Sequence, residues 1–488
     1  MRLFRSTALI LAGILLFTSC GNTAATANAK KPESQRGPGS ANADPAGNPA
    51  ENFAENPAEN ITADSIADPG TSTKDSIISV EAVIPEPVGE GMDKDAFAAS
   101  DAYWDWWQSM HEKTEISANA QEGMDQYYEA VLGELLRGDA DENAVCSPLN
   151  IYVALAMLAE VTDGNSRGQI LDALQVKNIE QLRSRVQALW DANYLDTPTV
   201  KSLLADSMWL RNDIGYHEET LKRLAEEYHA SSYTGEMGSG EMNERIRKWT
   251  DEHTGGLLSE YTSDMELSPE TVLALVSTIY YKAAWTDSFP KERTDTAVFH
   301  AAAGDQQVTM MHMDEMMTYY RAKRFQAVAL GLVDSGTMYF LLPEEGTDLK
   351  EIVTDPEAIS LLRNHDDPEV IYPLVHLSVP KYKVSGKTDL MDHLVRLGIR
   401  DVMDADAADF SPLTDEAGKI LLSGAEHAAM VEIDEDGVTG AAYTALITEG
   451  SAMFEPEEVD FVLDRPFYFA VMGRDGSILF AGIVQSIE

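Results

Sequence analysis

The stretch Gly164-Asn165-Ser166-Arg167-Gly168 spells G-x-S-x-G, a pattern that in serine hydrolases carries the nucleophile. There the serine stands on a strained turn between a strand and a helix, where a base can take its proton. The context here differs: IYVALAMLAEVTDG, just before it, has apolar residues at helical spacing. Ser166 is therefore expected in a connection between two helices, and a serine hydrolase is only a remote alternative. The ten histidines form no H-E-x-x-H and no Cys/His cluster, which leaves zinc without ligands. Asp434-Glu435-Asp436-Gly437 looks superficially like a calcium or phosphate turn, yet no D-x-[DN]-x-[DN]-G loop closes on a correctly spaced Glu. An acidic turn after a strand explains it, so no catalytic residue, metal or cofactor is assigned.

The chain that must position such residues has 488 residues and 44% hydrophobic content, enough for a sizeable core. Its 36 Lys+Arg against 82 Asp+Glu give a net charge of −46, which repels phosphate backbones and anionic surfaces. Nucleic acid is excluded as a partner, and without a basic block a heparin-like cofactor is not expected. The N-terminus carries Arg2 and Arg5, an apolar run from Ala8 to Phe17, then Phe17-Thr18-Ser19-Cys20. That is the shape of a secretory signal peptide, with an end that resembles the lipobox of bacterial lipoproteins. The expectation is lipidation at Cys20, attachment to the outer face of a bacterial membrane through that lipid alone, and an extracellular position. Only Cys146 would remain, so stability must come from the core, where Cys146 packs as a small hydrophobe.

Residues 1–20 thus read as the signal and residues 21–91 as an Ala/Asn/Pro/Glu-rich disordered tether, with the near-repeat NPAENFAENPAEN at 48–60. Residues 92–120, with Trp104, Trp106 and Trp107, form an aromatic acidic extension suited to docking on the main domain, which occupies 121–488. Helical spacing at Tyr127, Val131, Leu135 and at Ile151, Leu155, Leu158 predicts helices, which predominate to about Tyr261. Strand-like runs follow: TVLALVSTIYYKAAW, MYFLLP, VHLSVPKYKV, AAMVEID, RPFYFAVM and SILFAGIVQ. Helices early and strands late predict an α+β fold.

Several collinear segments resemble the serpin family: NAVCSPLNIYVALAMLAEVTDGNSRGQI at 143–170, LVSTIYYKAAW, FSPLTDEAGKILLSGAEHAAMVEIDEDG at 410–437, DRPFYFAVM and LFAGIV. The resemblance implies three β-sheets with eight or nine helices and an exposed reactive loop. It also implies a monomer that inhibits serine proteases, and secondarily cysteine proteases. A protease cleaves the loop and is held as a covalent acyl-enzyme when the loop inserts into the central sheet. A non-inhibitory serpin, acting as a binding protein or a substrate, is the alternative.

Glu435 matches the family's hinge glutamate, and the usual loop length places the reactive bond between Ser451 and Ala452. At roughly 3.3 Å per residue the intervening segment spans about 53 Å. A domain of about 390 residues is roughly 55 Å across, so an inserted loop could carry a bound protease across the molecule. Insertion needs alternate residues to face the core; Val438, Gly440, Ala442, Thr444 and Leu446, all small or apolar, meet that need. Neither proline nor charge interrupts Val438 to Thr448, so roughly ten new backbone hydrogen bonds could supply on the order of 10 kcal/mol.

The hinge reads Gly437-Val438-Thr439-Gly440-Ala441-Ala442-Tyr443, where the family usually has Gly-Thr-Glu-Ala-Ala-Ala-Ala; Gly440 weakens the strand slightly. The family's polar cluster beneath the opening sheet maps onto Ser147, Asn150, Ser277 and His427, and its loop-proximal tryptophan onto Trp285. Asn150 and Ser277 exchange the family's Ser and Asn, which keeps one amide and one hydroxyl. Thr448-Glu449-Gly450-Ser451-Ala452-Met453-Phe454 offers no Arg or Lys to a trypsin-like pocket. Elastase-, subtilisin- or chymotrypsin-like targets are expected, with a glutamate-selective protease at Glu449 a lesser alternative.

Overall fold

The computed structural model describes residues 78–137, 142–256, 265–363, 369–416, 418, 420–438 and 457–487. Strand β1 (Ile78–Val80) is followed by helices α1 (Lys94–Ala98), α2 (Asp101–Ala120) and α3 (Asp125–Leu135). Then come β2 (Ala144–Cys146), α4 (Pro148–Glu160), α5 (Gly164–Ala173), α6 (Ile179–Asn193), β3 (Leu195–Asp196), β4 (Val200–Arg211), α7 (Glu218–Glu227), β5 (Ala230–Gly235) and α8 (Gly240–His253). The middle of the chain supplies β6 (Leu273–Ala284), β7 (Thr294–Ala301), β8 (Gly304–Met316), β9 (Tyr319–Arg321), β10 (Phe325–Leu332), β11 (Gly336–Pro343), α9 (Leu349–Val353) and α10 (Pro356–Leu362). It closes with β12 (Glu369–Ile371), β13 (Leu374–Pro380), β14 (Tyr382–Asp389), α11 (Met391–Arg396), β15 (Leu422–Ile433), β16 (Gly437–Val438), β17 (Glu458–Val462), β18 (Phe467–Gly473) and β19 (Ile478–Val484). Among the described residues there are eleven α-helices, and setting aside α1 and α2, which precede the main domain, leaves nine.

The strands form three sheets. The central one runs β1-β5-β4-β6-β16-β15-β14 with β3 against β4, the second β12-β9-β10-β11-β18-β19-β2, and the third β17-β13-β8-β7. Helix α4 is apolar nearly all round and every residue of it is buried, because it packs on β4 and β6 of the central sheet and on β19 of the second. Its start is fixed by Pro148 in the first turn and by Ser147, whose Oγ accepts from the Asn150 amide at 3.3 Å. The opposite face of the central sheet is covered by α8, whose Met242, Ile246 and Trp249 cluster with Ala205, Trp209, Ala274 and Val276.

Two expectations change. The region before residue 261 contains β4, a twelve-residue strand in the middle of the central sheet, as well as β2, β3 and β5. Covered on both faces, β4 lacks the polar–apolar alternation that marks a half-exposed strand. The run VHLSVPKYKV is two strands in two sheets: β13 pairs with β8 as far as Pro380, and Tyr382 opens β14 opposite Ile433.

The tether boundary at residue 91 falls inside packed chain. Strand β1 adds to the edge of the central sheet against β5, Val83 donates to the Ala225 carbonyl at 2.9 Å, and the Tyr233 hydroxyl donates to Glu81 at 2.7 Å. A spacer would therefore end before Ile78. The aromatic extension docks on the main domain: Phe97 and Trp106 are buried in its core, Tyr103 donates to Asp334 at 2.9 Å, and Ser117 donates to buried Asp475 at 2.6 Å.

Candidate functional site

The polar residues expected beneath the central sheet come together. Ser277 on β6 and His427 on β15 are cross-strand partners, the last pair of the parallel β6–β15 ladder that begins at Leu273 and Leu422. Both point toward the start of α4. The Ser147 amide donates to His427 Nε2 at 2.9 Å, and Ser277 Oγ donates to the Asn150 carbonyl at 3.3 Å. Accepting through Nε2 places the imidazole proton on Nδ1. Burial pushes the His427 pKa down to about 4, so the ring is neutral across the physiological range. The expected amide–hydroxyl exchange takes another form: Ser277 bonds the main chain of Asn150, and the Asn150 side-chain amide has no protein partner among the described residues.

The described residues of the expected hinge lie at the other end of the same strands. After Ile433 the chain turns through Asp434, whose Oδ1 accepts from the Asp436 and Gly437 amides at 2.9 and 3.1 Å. Gly437 and Val438 then enter the sheet as β16, with Gly437 opposite Ala284, and Val438 opposite both Ala283 and Ile433. A Cβ at Gly437 would lie 2.3 Å from the Ala283 carbonyl oxygen, so only glycine lets the chain approach β6 this closely. Trp285 belongs to this group: its indole donates to the Asp434 carbonyl at 2.9 Å and its amide to the Asp436 carbonyl at 3.2 Å. It is eight residues past Ser277, roughly 26 Å along the strand, so it does not join the polar cluster. Glu435 accepts from Thr294 at 2.9 Å and pairs with Lys381 at 2.5 Å, which ties the hinge to β7 and to the start of β14. Burial acts to raise the Glu435 pKa, but Lys381 and Thr294 outweigh it and hold the carboxylate below its ordinary value.

Among the described residues, 278–282 of β6 pair only with β4, and 428–432 of β15 pair only with β14. The expected loop positions Thr439, Gly440, Ala441, Ala442, Ser451 and Ala452 lie outside the described residues, as does Cys20. Ser166 sits in the first turn of α5, fully buried, with its Oγ accepting from the Asp409 amide at 3.1 Å. The element before it is α4, so no strand presents this serine as a nucleophile. Cys146 is buried, and burial raises its thiol pKa, which leaves it unreactive.

One residue in this region had no place in the sequence reading. Asp206 on β4 is the cross-strand partner of Ser277, only 2% exposed, and its Oδ1 has no protein partner among the described residues. The signal was present as a lone acid within the otherwise apolar LLADSMWL.

A family model described as "Serpin (serine protease inhibitor)" matches residues 126–487. The leukocyte elastase inhibitor of Homo sapiens is 31% identical over 359 residues, covering 70% of this chain and 93% of that protein. Serpin-Z2B of Oryza sativa subsp. japonica is 27% identical over 394 residues, covering 72% of this chain and 94% of the relative. Among solved structures, the native thermophilic serpin tengpin aligns with a TM-score of 0.67 at 22% identity, over 84% of this chain and 98% of that one. Thyroxine-binding globulin in complex with thyroxine aligns with a TM-score of 0.65 at 23% identity, over 75% of this chain and 99% of the other. At these identities the two structures speak for the fold alone. Family match, relatives and architecture agree that the chain belongs to the serpin family, whose general activity is protease inhibition, and is not a catalytic enzyme.

Proposed function

We propose that the chain is a suicide-substrate inhibitor of serine proteases, with cysteine proteases as a second class, cleaved near Ser451 and trapping its target by loop insertion. The observation that carries this is the position of β16, already seated between β6 and β15 at one end of the sheet. Its register can be continued down the strands. Six residues beyond Val438 is Thr444; six before Ala283 is Ser277, and six before Ile433 is His427. The antiparallel registers with β6 and with β15 thus agree that Thr444 would arrive between Ser277 and His427. Residues 439–443 would lie beside stretches of β6 and β15 that have one partner each. From Thr444 onward, insertion must part the β6–β15 ladder.

The same register sends Val438, Gly440, Ala442, Thr444 and Leu446 toward α4, and Ala445 and Ile447 under α8. Both sides are small or apolar, which suits a strand buried on each face. The protease would remain as a covalent acyl-enzyme on Ser451, held by an inhibitor acting as a monomer. Ser451 at the bond suits elastase-like or subtilisin-like pockets, and the human relative is named for elastase. A shift to Met453 or Phe454 would admit chymotrypsin-like enzymes. The signal-like N-terminus and Cys20 support a lipid-anchored inhibitor displayed outside a bacterial cell.

Mass spectrometry of the peptide released when an elastase-like protease is trapped tests the site. A C-terminal peptide beginning at Ala452 is expected, and cleavage well outside Glu449 to Phe454 would refute the assignment. Clean turnover of the loop by a broad protease panel would favour a non-inhibitory serpin instead.

A further inference from the structure

We propose that Asp206 is a positioning residue that makes opening of the central sheet, and with it loop insertion, depend on a proton. The geometry comes first. Asp206, Ser277 and His427 occupy one row across β4, β6 and β15, and cross-strand neighbours share a face, so all three side chains lie over the start of α4. This is the row at which the β6–β15 ladder ends and which Thr444 must enter under the insertion reading above. Asp206 is as deeply buried as the residues around it, and among the described residues no cation acts on it. Its cross-strand partner on β5 is Ala230, on β6 it is Ser277, and α4 beneath presents Asn150. His427 stands two strands away, roughly 10 Å. His229, next to Ala230, stacks its ring on Trp190 and turns Nδ1 to the Val83 carbonyl at 2.6 Å. Helix α6, also packed on β4, commits Arg183 to Glu160 and turns Arg185 to the Gln175 and Glu122 carbonyls.

Burial pushes the Asp206 pKa up to about 8. In the closed sheet Asp206 is therefore protonated and His427 neutral, whereas in hydrated chain near pH 6 the aspartate is ionised and the histidine mostly protonated. The two groups act with opposite sign. The raised aspartate stabilises the closed sheet fully below its ordinary pKa of about 4, and that stability is lost as pH rises to about 8. The depressed histidine stabilises it above its ordinary pKa of about 6.5, and that stability is lost as pH falls to about 4. Between about 4 and 6.5 the slopes cancel, because each state holds one proton on the pair. From about 6.5 to 8 Asp206 is the member of the pair that acts, and the native fold is weakened by up to tenfold per pH unit in the unfolding equilibrium, beside the shallower loss at exposed His300 and His376, whose partners Asp305 and Asp314 raise their pKa values.

The test is urea unfolding of the full, uncleaved chain from pH 4.5 to 9.5, for the wild type and for Asp206→Asn, which keeps the shape and removes the titration. The wild-type unfolding constant is expected to climb several-fold to tenfold per pH unit from about 6.5 and to level off above about 8. In Asp206→Asn that climb should shrink to the shallow slope left by exposed His300 and His376. Removing the aspartate should also unmask the His427 slope, so that the variant weakens as pH falls from about 6.5 toward 4. Parallel wild-type and variant profiles would overturn the proposal. So would a wild-type profile flat from 6.5 to 8, which decides the matter even if the variant fails to fold. Protease trapping is scored separately: a pH-dependent sheet without trapping keeps the role of Asp206 in opening and removes the inhibitor reading, and trapping with parallel profiles does the reverse.

Discussion

At Val438 the loop is already committed to the sheet, for the side chain is 1% exposed between Ile433 and Ala283. Val438→Arg would place a charge in that position at a cost of several kcal/mol. The expected outcome is expulsion of β16 and conversion of the inhibitor to a substrate, seen as at least a tenfold rise in loop molecules cleaved per protease trapped. Full stoichiometric trapping by Val438→Arg would show the insertion register to be wrong. At this scale the sequence was legible only in part. Ser147 and His427 are 280 residues apart, and nothing in composition or spacing links them; the family resemblance did, and the hydrogen bond between them follows from the fold. Trp285 matched the family's loop-proximal tryptophan, and its bonds to Asp434 and Asp436 lie beside the expected hinge. Asp206 was passed over because an acid within an apolar run gives no sign of which side chain will face it.

Under the proposed insertion the elements would act as a zipper with one end engaged. On insertion, continuing the β16 register would put Thr439 between Lys282 and exposed Glu432 on the outer face and Thr444 on the α4 face, between Ser277 and His427. Lys282 is half-buried, so the outer face at this end still reaches water. The same substitution at the two sites should therefore have different effects. Thr439→Glu, between a lysine and an exposed glutamate on a face that reaches water, is expected to keep trapping within a few-fold of wild type. Thr444→Glu, forced under the sheet, should cost several kcal/mol and give cleavage without trapping. Equal behaviour of the two variants in a stoichiometry titration would count against the alternation. The sequence conveyed the late strands well because Gly, Pro or turn residues bound several of them, and it conveyed α3 and α4 through their apolar spacing. It hid β4, buried on both faces, and the change of sheet at Lys381, since a strand that leaves one sheet for another keeps its own alternation.

Over the whole molecule, the main domain and its docked extension account for the described residues from 78 onward, and the proposed N-terminal signal would set where the protein acts. If Cys20 carries the lipid, Cys20→Ser should move the protein from the detergent phase to the aqueous phase in a phase-partition assay, with protease trapping unchanged. Partitioning that ignores the substitution would remove the anchor. The net charge of −46 repels other polyanions. The most direct test of the inhibitor reading is a denaturing gel. Purified full-length protein mixed with an elastase-like serine protease should yield a band at the sum of the protease and the cleaved inhibitor that survives boiling in detergent. That band should disappear when the protease's active-site serine is replaced. Complete cleavage of the loop with no such band, across elastase-, subtilisin- and chymotrypsin-like enzymes, would contradict the account.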